Sequence, residues 1–159
     1  MEDPVMAFKL GSTAFAGGST IPAQYTCRGK DRSPPLHWSG APEGTKSFAL
    51  ICEDPDAPGG VFHHWGLYDL ASGRQSIEEG FGNAASPEDG KTVANDFGSP
   101  GYRGPCPPIG HDAHHYHFRL FALSKAELGG PKPRDCRNLA AEIRPHVIGS
   151  AEIVGTFSR

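Results

Sequence analysis

The chain has 159 residues and a formal net charge of −3, so a single domain spanning 1–159 with a core of its own is expected. The slightly acidic balance offers no electrostatic footprint for DNA or RNA, and no apolar run approaches the ~20 residues of a membrane-spanning helix. Gly and Pro number 21 and 15, but they fall between apolar segments, the pattern of turns joining short strands rather than of a disordered chain.

In chain order, Phe8–Phe15 alternates well enough for a first strand. Thr20–Trp38 is polar and irregular, and Ser33-Pro34-Pro35 forces an extended turn ahead of Leu36. Gly40–Gly44 reads as a turn. Ser47–Glu53 contains the longest uncharged apolar run, Phe48–Cys52, and reads as a buried central strand. The turn Asp54–Gly60 leads into a strand over Val61–Leu70. Gln75–Ala94 is mostly loop. Tyr116–Leu123 and Ser150–Phe157 are the last strong strands, and Leu139, Ile143 and Val147 predict one helix between Pro133 and Val147. An all-β antiparallel sandwich with one or two short helices fits this pattern.

Cys27, Cys52, Cys106 and Cys136 form no CxxC pair, so neither a zinc knuckle nor a thioredoxin-type motif is present. Met1–Met6 is acidic and lacks an apolar stretch, so no secretory signal is expected. These features predict a soluble, cytoplasmic protein with reduced thiols, while the even cysteine count leaves disulfides open.

Chemistry concentrates in 101–123. Gly101–Gly110 holds three glycines and three prolines, so its backbone is stiff and sharply turned. In the strand that follows, His114, Tyr116, Phe118 and Leu120 face one way, and His115, His117, Arg119 and Phe121 the other. A rigid loop thus delivers His114 and Tyr116 together at a strand mouth, an arrangement suited to a small anion. Asp54, at the end of the central strand, either caps backbone N–H groups in its turn or faces a pocket, where it can orient a histidine. His63 and His64 point to opposite faces, so at most one shares a pocket with Asp54.

Other chemistries are poorly supported. His111, His114, His115 and His117 invite a metal, but a strand offers only His115 and His117 together on one face, and a tetrahedral site needs three or four converging ligands. Cys106, between Pro105 and Pro107, is the only plausible nucleophile, and packing of a tight loop explains it better. No G-x-S-x-G elbow, P-loop or G-x-G-x-x-G fingerprint occurs, so no catalytic role and no cofactor is expected.

Asp54-Pro-Asp-Ala-Pro58, His64-Trp65, Asp96-Phe97-Gly98, Gly101-Tyr-x-Gly-Pro-Cys-Pro-Pro-x-Gly110, His114-x-Tyr116 and Ile153–Arg159 together resemble the phosphatidylethanolamine-binding protein family. The resemblance is to its prokaryotic, Raf-kinase-inhibitor-like branch. Ser33-Pro-Pro-Leu36 and Gly44-Thr-Lys-Ser-Phe48 fit as well, so the likeness covers nearly the whole chain in order.

The resemblance implies a β-sandwich with a small anion pocket at one end, formed by Asp54, Pro58, His64, Cys106, Pro107, Pro108, His114 and Tyr116. It implies a phosphate-bearing small molecule or phospho-residue as ligand. It also suggests a kinase or protease as protein partner, and leaves pairing as a homodimer open. Two positions depart from the family pattern: Cys106 replaces the glycine of some relatives, placing a thiol at the pocket rim, and His115 replaces the usual Arg on the outward face. A hydrolase using His64, Asp54 and His114, or a metal-binding protein, is the alternative. Histidines titrate near pH ~6.5, and a bound dianion favours their charged form.

Overall fold

The apolar run Phe48–Cys52 lies at the centre of the molecule. In the computed structural model, which describes residues 7–159, it belongs to strand β3, Ser47–Asp54, whose residues are buried on both faces except Glu53. Two-sided burial is why this strand reads as continuous apolar sequence rather than as an alternation. The acidic stretch Met1–Met6 lies outside the described residues.

β3 pairs antiparallel with β4 (Phe62–Ala71) on one side and β7 (His114–Leu123) on the other. A short β6 (Lys91–Thr92) borders β4, and β8 (Val147–Phe157) borders β7, completing a five-stranded sheet ordered β6-β4-β3-β7-β8. A second sheet packs β2 (Leu36–Ser39) between β1 (Lys9–Gly11) and β5 (Ser76–Ile77). Leu10, Trp38, Phe48, Leu50, Trp65, Phe118 and Leu120 fill the space between the sheets. The outer face of the large sheet is covered by helix α1, Cys136–Ile143, through Leu139 and Ile143 against Ile51, Tyr68 and Val93. The expected antiparallel sandwich is therefore the fold.

The differences in element bounds have local causes. The first strand stops at Gly11 rather than Phe15 because Ser12 Oγ accepts the Ala14 amide (3.0 Å) and donates to Pro35 O (2.7 Å), turning the chain. The helix is shorter than the Pro133–Val147 window. Asp135 Oδ1 caps the Asn138 amide at 2.8 Å at its start. Pro145 falls in the 3-10 turn Arg144–His146 that ends it, and Val147 opens β8 instead. The loop region 75–94 contains β5, β6 and a 3-10 turn at Phe81–Asn83. No described helix is long and apolar enough to cross a membrane.

Candidate functional site

Register at one end of β4 positions the site. β3 and β4 pair Cys52 with Trp65 and Glu53 with His63, so His64 is an extra residue in the ladder. Such a bulge breaks the two-residue alternation and re-aims the side chain it carries. Trp65 already faces the inter-sheet core, and Gly66 faces Val93, Cys136 and Leu139 on the helix side. Simple alternation would turn His64 toward the helix as well. The bulge instead brings it beside Tyr116, with ring centroids 5.3 Å apart and edge to face.

The site is a cavity of about 210 Å³ lined by Asp54, Ala57, Pro58, Phe62, His64, Phe97, Cys106, Pro107, Pro108, His114 and Tyr116. All eight residues named from the sequence line it. Ala57, Phe62 and Phe97 were not named. Phe62 was legible in principle, since it stands two residues before His64 on the same strand. Phe97 comes from a loop held by Asn95, whose Oδ1 accepts the Phe97 and Ser99 amides at 2.9 and 3.3 Å; the Asp96-Phe97-Gly98 match flagged the segment without marking Phe97 as a lining residue. At about 210 Å³ the cavity falls below the ~300–1,000 Å³ of sites for drug-sized ligands, so it has room only for a small group.

Four polar side chains line it: Asp54, His64, His114 and Tyr116. His114 Nδ1 donates to Asp54 Oδ2 at 2.7 Å, with both side chains 5% exposed. Asp54 Oδ1 accepts the Asp56 amide at 2.8 Å. The carboxylate therefore does both things the sequence suggested: it shapes its own turn and orients an imidazole. His64 Nδ1 lies 2.7 Å from the Arg103 carbonyl, and a carbonyl only accepts, so Nδ1 carries the proton. Among the described residues, His64 Nε2, His114 Nε2 and Tyr116 Oη have no protein partner, yet none is sealed from solvent. Those three atoms are the free polar valences of the site.

Burial sets their charge. Desolvation pushes the His64 imidazole below the ordinary histidine range, against the opposing pull of the Arg103 carbonyl and of Asp54. Burial thus favours the neutral imidazole at His64 over the partly protonated one expected of a free histidine. Desolvation, with Asp54 and Cys52 adding to it, drives the Tyr116 hydroxyl far above the phenol range, so it remains a donor.

His63 points the other way, into a separate ionic cluster. Its Nδ1 is 3.1 Å from Asp96 Oδ2 and its Nε2 is 3.5 Å from Glu53 Oε2. The Glu53 hydrogen bond raises the His63 pKa against the cost of burial, and His63 in turn lowers that of Glu53. Neighbouring histidines thus shift in opposite directions. The expected result of a histidine proton NMR titration is a midpoint above ~6.5 for His63 and below it for His64. The same linkage has opposite signs in stability. His63 stabilises the fold at acid pH and loses that contribution as pH rises through its folded midpoint. His64 destabilises it as pH falls below its unfolded midpoint. Midpoints in the reverse order would refute both assignments.

The loop wall differs from the sequence expectation in one respect. Cys106 is not a thiol: it is bridged to Cys27, 79 residues away, with Cα atoms 5.4 Å apart. The reduced reading holds only for the buried Cys52 and Cys136. Further contacts tie the loop to 25–31. Tyr102 Oη donates to Tyr25 O at 2.6 Å, Gly104 N to Asp31 Oδ1 at 2.8 Å, and Cys27 N to Pro105 O at 3.1 Å. A Cβ on Gly104 would run into the Tyr25 carbonyl, so the two segments touch too closely for any other residue. Outward-facing His115 pairs with Asp56, Nδ1 to Oδ2 at 2.8 Å, away from the cavity. Among the described residues, no group of three or more His, Cys, Asp or Glu side chains is arranged to hold a metal ion.

Comparison with known proteins agrees with this architecture. A "UPF0098 protein" of Aquifex aeolicus is 44% identical over 148 residues, covering 93% of this chain and 86% of the relative. A "UPF0098 protein" of Methanothermobacter thermautotrophicus is 41% identical over 154 residues, covering 94% of this chain and 98% of the relative. The crystal structure of Escherichia coli YbcL, described as a new member of the mammalian PEBP family, superposes with a TM-score of 0.91 at 30% identity, covering 97% and 99% of the two chains. The model of the family "Phosphatidylethanolamine-binding protein" matches residues 11–158, and the chain belongs to that family.

Proposed function

We propose that the protein binds a small oxyanion, in the form of a phosphate head group or phosphorylated side chain, in the cavity between His64, His114 and Tyr116. The observation that carries this reading is the presence of three free polar atoms, His64 Nε2, His114 Nε2 and Tyr116 Oη, in one cavity of about 210 Å³. Phe62, Phe97 and the prolines enclose them in an apolar wall, where hydrogen bonds to a charged ligand are stronger than in water. No side chain in the lining is placed as an activated nucleophile, and Cys106 is spent in its bridge, so binding is favoured over turnover. A kinase or protease partner would, on this reading, engage through a phosphorylated residue seated in the cavity.

The pH dependence of binding follows from His64. Burial in the pocket lowers its pKa, whereas a bound dianion beside Nε2 raises it, so binding takes up a proton between the two midpoints. Sulfate is the cleaner probe because it stays dianionic, while phosphate gains charge with pH and masks the trend. Calorimetric titration from acid to mildly alkaline pH should show sulfate affinity falling by up to about tenfold per pH unit across that window. Affinity that is flat or rises with pH would reject the role given to His64.

A further inference from the structure

The segment lining the cavity between Gly104 and Ile109 is Pro105-Cys106-Pro107-Pro108. Proline has no N–H, so Cys106 is the only residue of the four able to donate a backbone hydrogen bond. The backbone ties to 25–31 end at Pro105, and beyond it Pro107 O accepts Arg159 Nε at 2.7 Å. His111 N donates to Pro108 O at 3.3 Å and Gly110 N to Arg159 O at 3.1 Å. Among the described residues the bond from Cys106 to Cys27 is the covalent restraint on this wall. Both cysteines are exposed, on loops rather than within the sheets, and one of the two sulfur-bearing residues lines the cavity itself. Exposed disulfides are the ones that exchange with solution thiols, whereas buried structural ones resist.

We propose that Cys27–Cys106 is a thiol–disulfide exchange site whose redox state is linked to occupancy of the anion cavity. The proposal rests on the anion-binding reading. A dithiol reductant attacks one sulfur as its thiolate, forming a mixed disulfide and releasing the other cysteine as a thiolate. Its second thiol then displaces the first cysteine. Overall the protein S–S bond breaks, two electrons and two protons pass to the cysteines, and the dithiol becomes a cyclic disulfide. Once the bridge is open, nothing covalent holds Pro107 and Pro108 against His64 and Tyr116, and the cavity loses its preformed shape. Linkage makes the effect reciprocal: an anion that prefers the bridged form stabilises that form against reduction by the same factor. In a reducing cytoplasm, the compartment expected from the sequence, the bridge would be poised by ligand as well as by thiols.

The test uses the full chain and inorganic phosphate. Phosphate affinity is measured by calorimetry on the bridged protein and on protein reduced with dithiothreitol. Circular dichroism and labelling of two thiols by iodoacetamide confirm a folded, singly opened species. The dithiothreitol midpoint is then measured at saturating phosphate and in chloride of equal ionic strength. The expected result is at least tenfold weaker phosphate binding after reduction, and a bridge harder to reduce in phosphate by the same factor, about 30 mV for tenfold. Should reduction unfold the chain, the midpoint arm still decides, because it starts from the bridged form. Equal affinity in both redox states, or a midpoint indifferent to phosphate while the bridged protein binds it, overturns the linkage alone. Absence of phosphate binding in the bridged protein overturns the anion-binding reading and the linkage with it.

Discussion

Replacement of His114 by alanine should reduce phosphate affinity by about 10–100-fold, the loss of one hydrogen bond to a charged ligand worth ~1.5–3 kcal/mol. The same change should destabilise the fold, because Asp54 would keep only its bond to the Asp56 amide while remaining 3% exposed. Breaking a buried pair by removing one partner typically costs about 3–5 kcal/mol. A companion variant, Asp54→Asn, separates the two effects. It preserves size and the Oδ1 acceptor but removes the acceptor that faces His114 Nδ1, so it should lower the melting temperature while leaving the His114 ring in the cavity wall. Calorimetry on both, with thermal melts as the control for folding, checks the assignment. A folded His114→Ala protein with full affinity would move the site elsewhere.

The second large effect concerns stability rather than binding. The Cys27–Cys106 bridge closes a loop of 79 residues, and the chain-entropy account assigns about 4.5 kcal/mol to a closure of that length. Cys27→Ser with Cys106→Ser should therefore lower the melting temperature by roughly 10–18 °C for a chain of this size. The remaining thiols will not confuse the measurement. Cys52 and Cys136 are both fully buried, and burial pushes Cys136 up to about 12 and Cys52 well above its ordinary value. A melting temperature within about 3 °C of the parent would mean that hydrogen bonds such as Gly104 N to Asp31 already fix the loop.

Where the sequence misled, a long-range contact had overridden a local pattern. His64 could not be assigned a face from alternation, because the bulge opposite Cys52 and Glu53 exists only once β3 and β4 are paired. Cys106 could not be matched to Cys27, because four cysteines without a spacing motif allow three full pairings and the reduced state besides. Phe97 reached the cavity through the Asn95 turn and the stacking of Arg103 over its ring at 4.7 Å, neither of which is visible in a one-dimensional pattern. The shift of His64 toward neutrality likewise follows from walls supplied by residues distant in the chain.

Local chemistry alone determined a good deal: the central apolar strand, the sandwich, the shared face of His114 and Tyr116, and a proline-stiffened loop beside them. These follow from side-chain periodicity and from the φ and N–H restrictions of Gly and Pro, which act within a few residues. Tertiary structure alone decided which histidine meets the tyrosine, which cysteines join, and that burial suppresses the charge of the His64 imidazole. The physical reason is range: strand register, disulfide geometry and desolvation depend on atoms that only the folded chain brings within a few ångströms of one another.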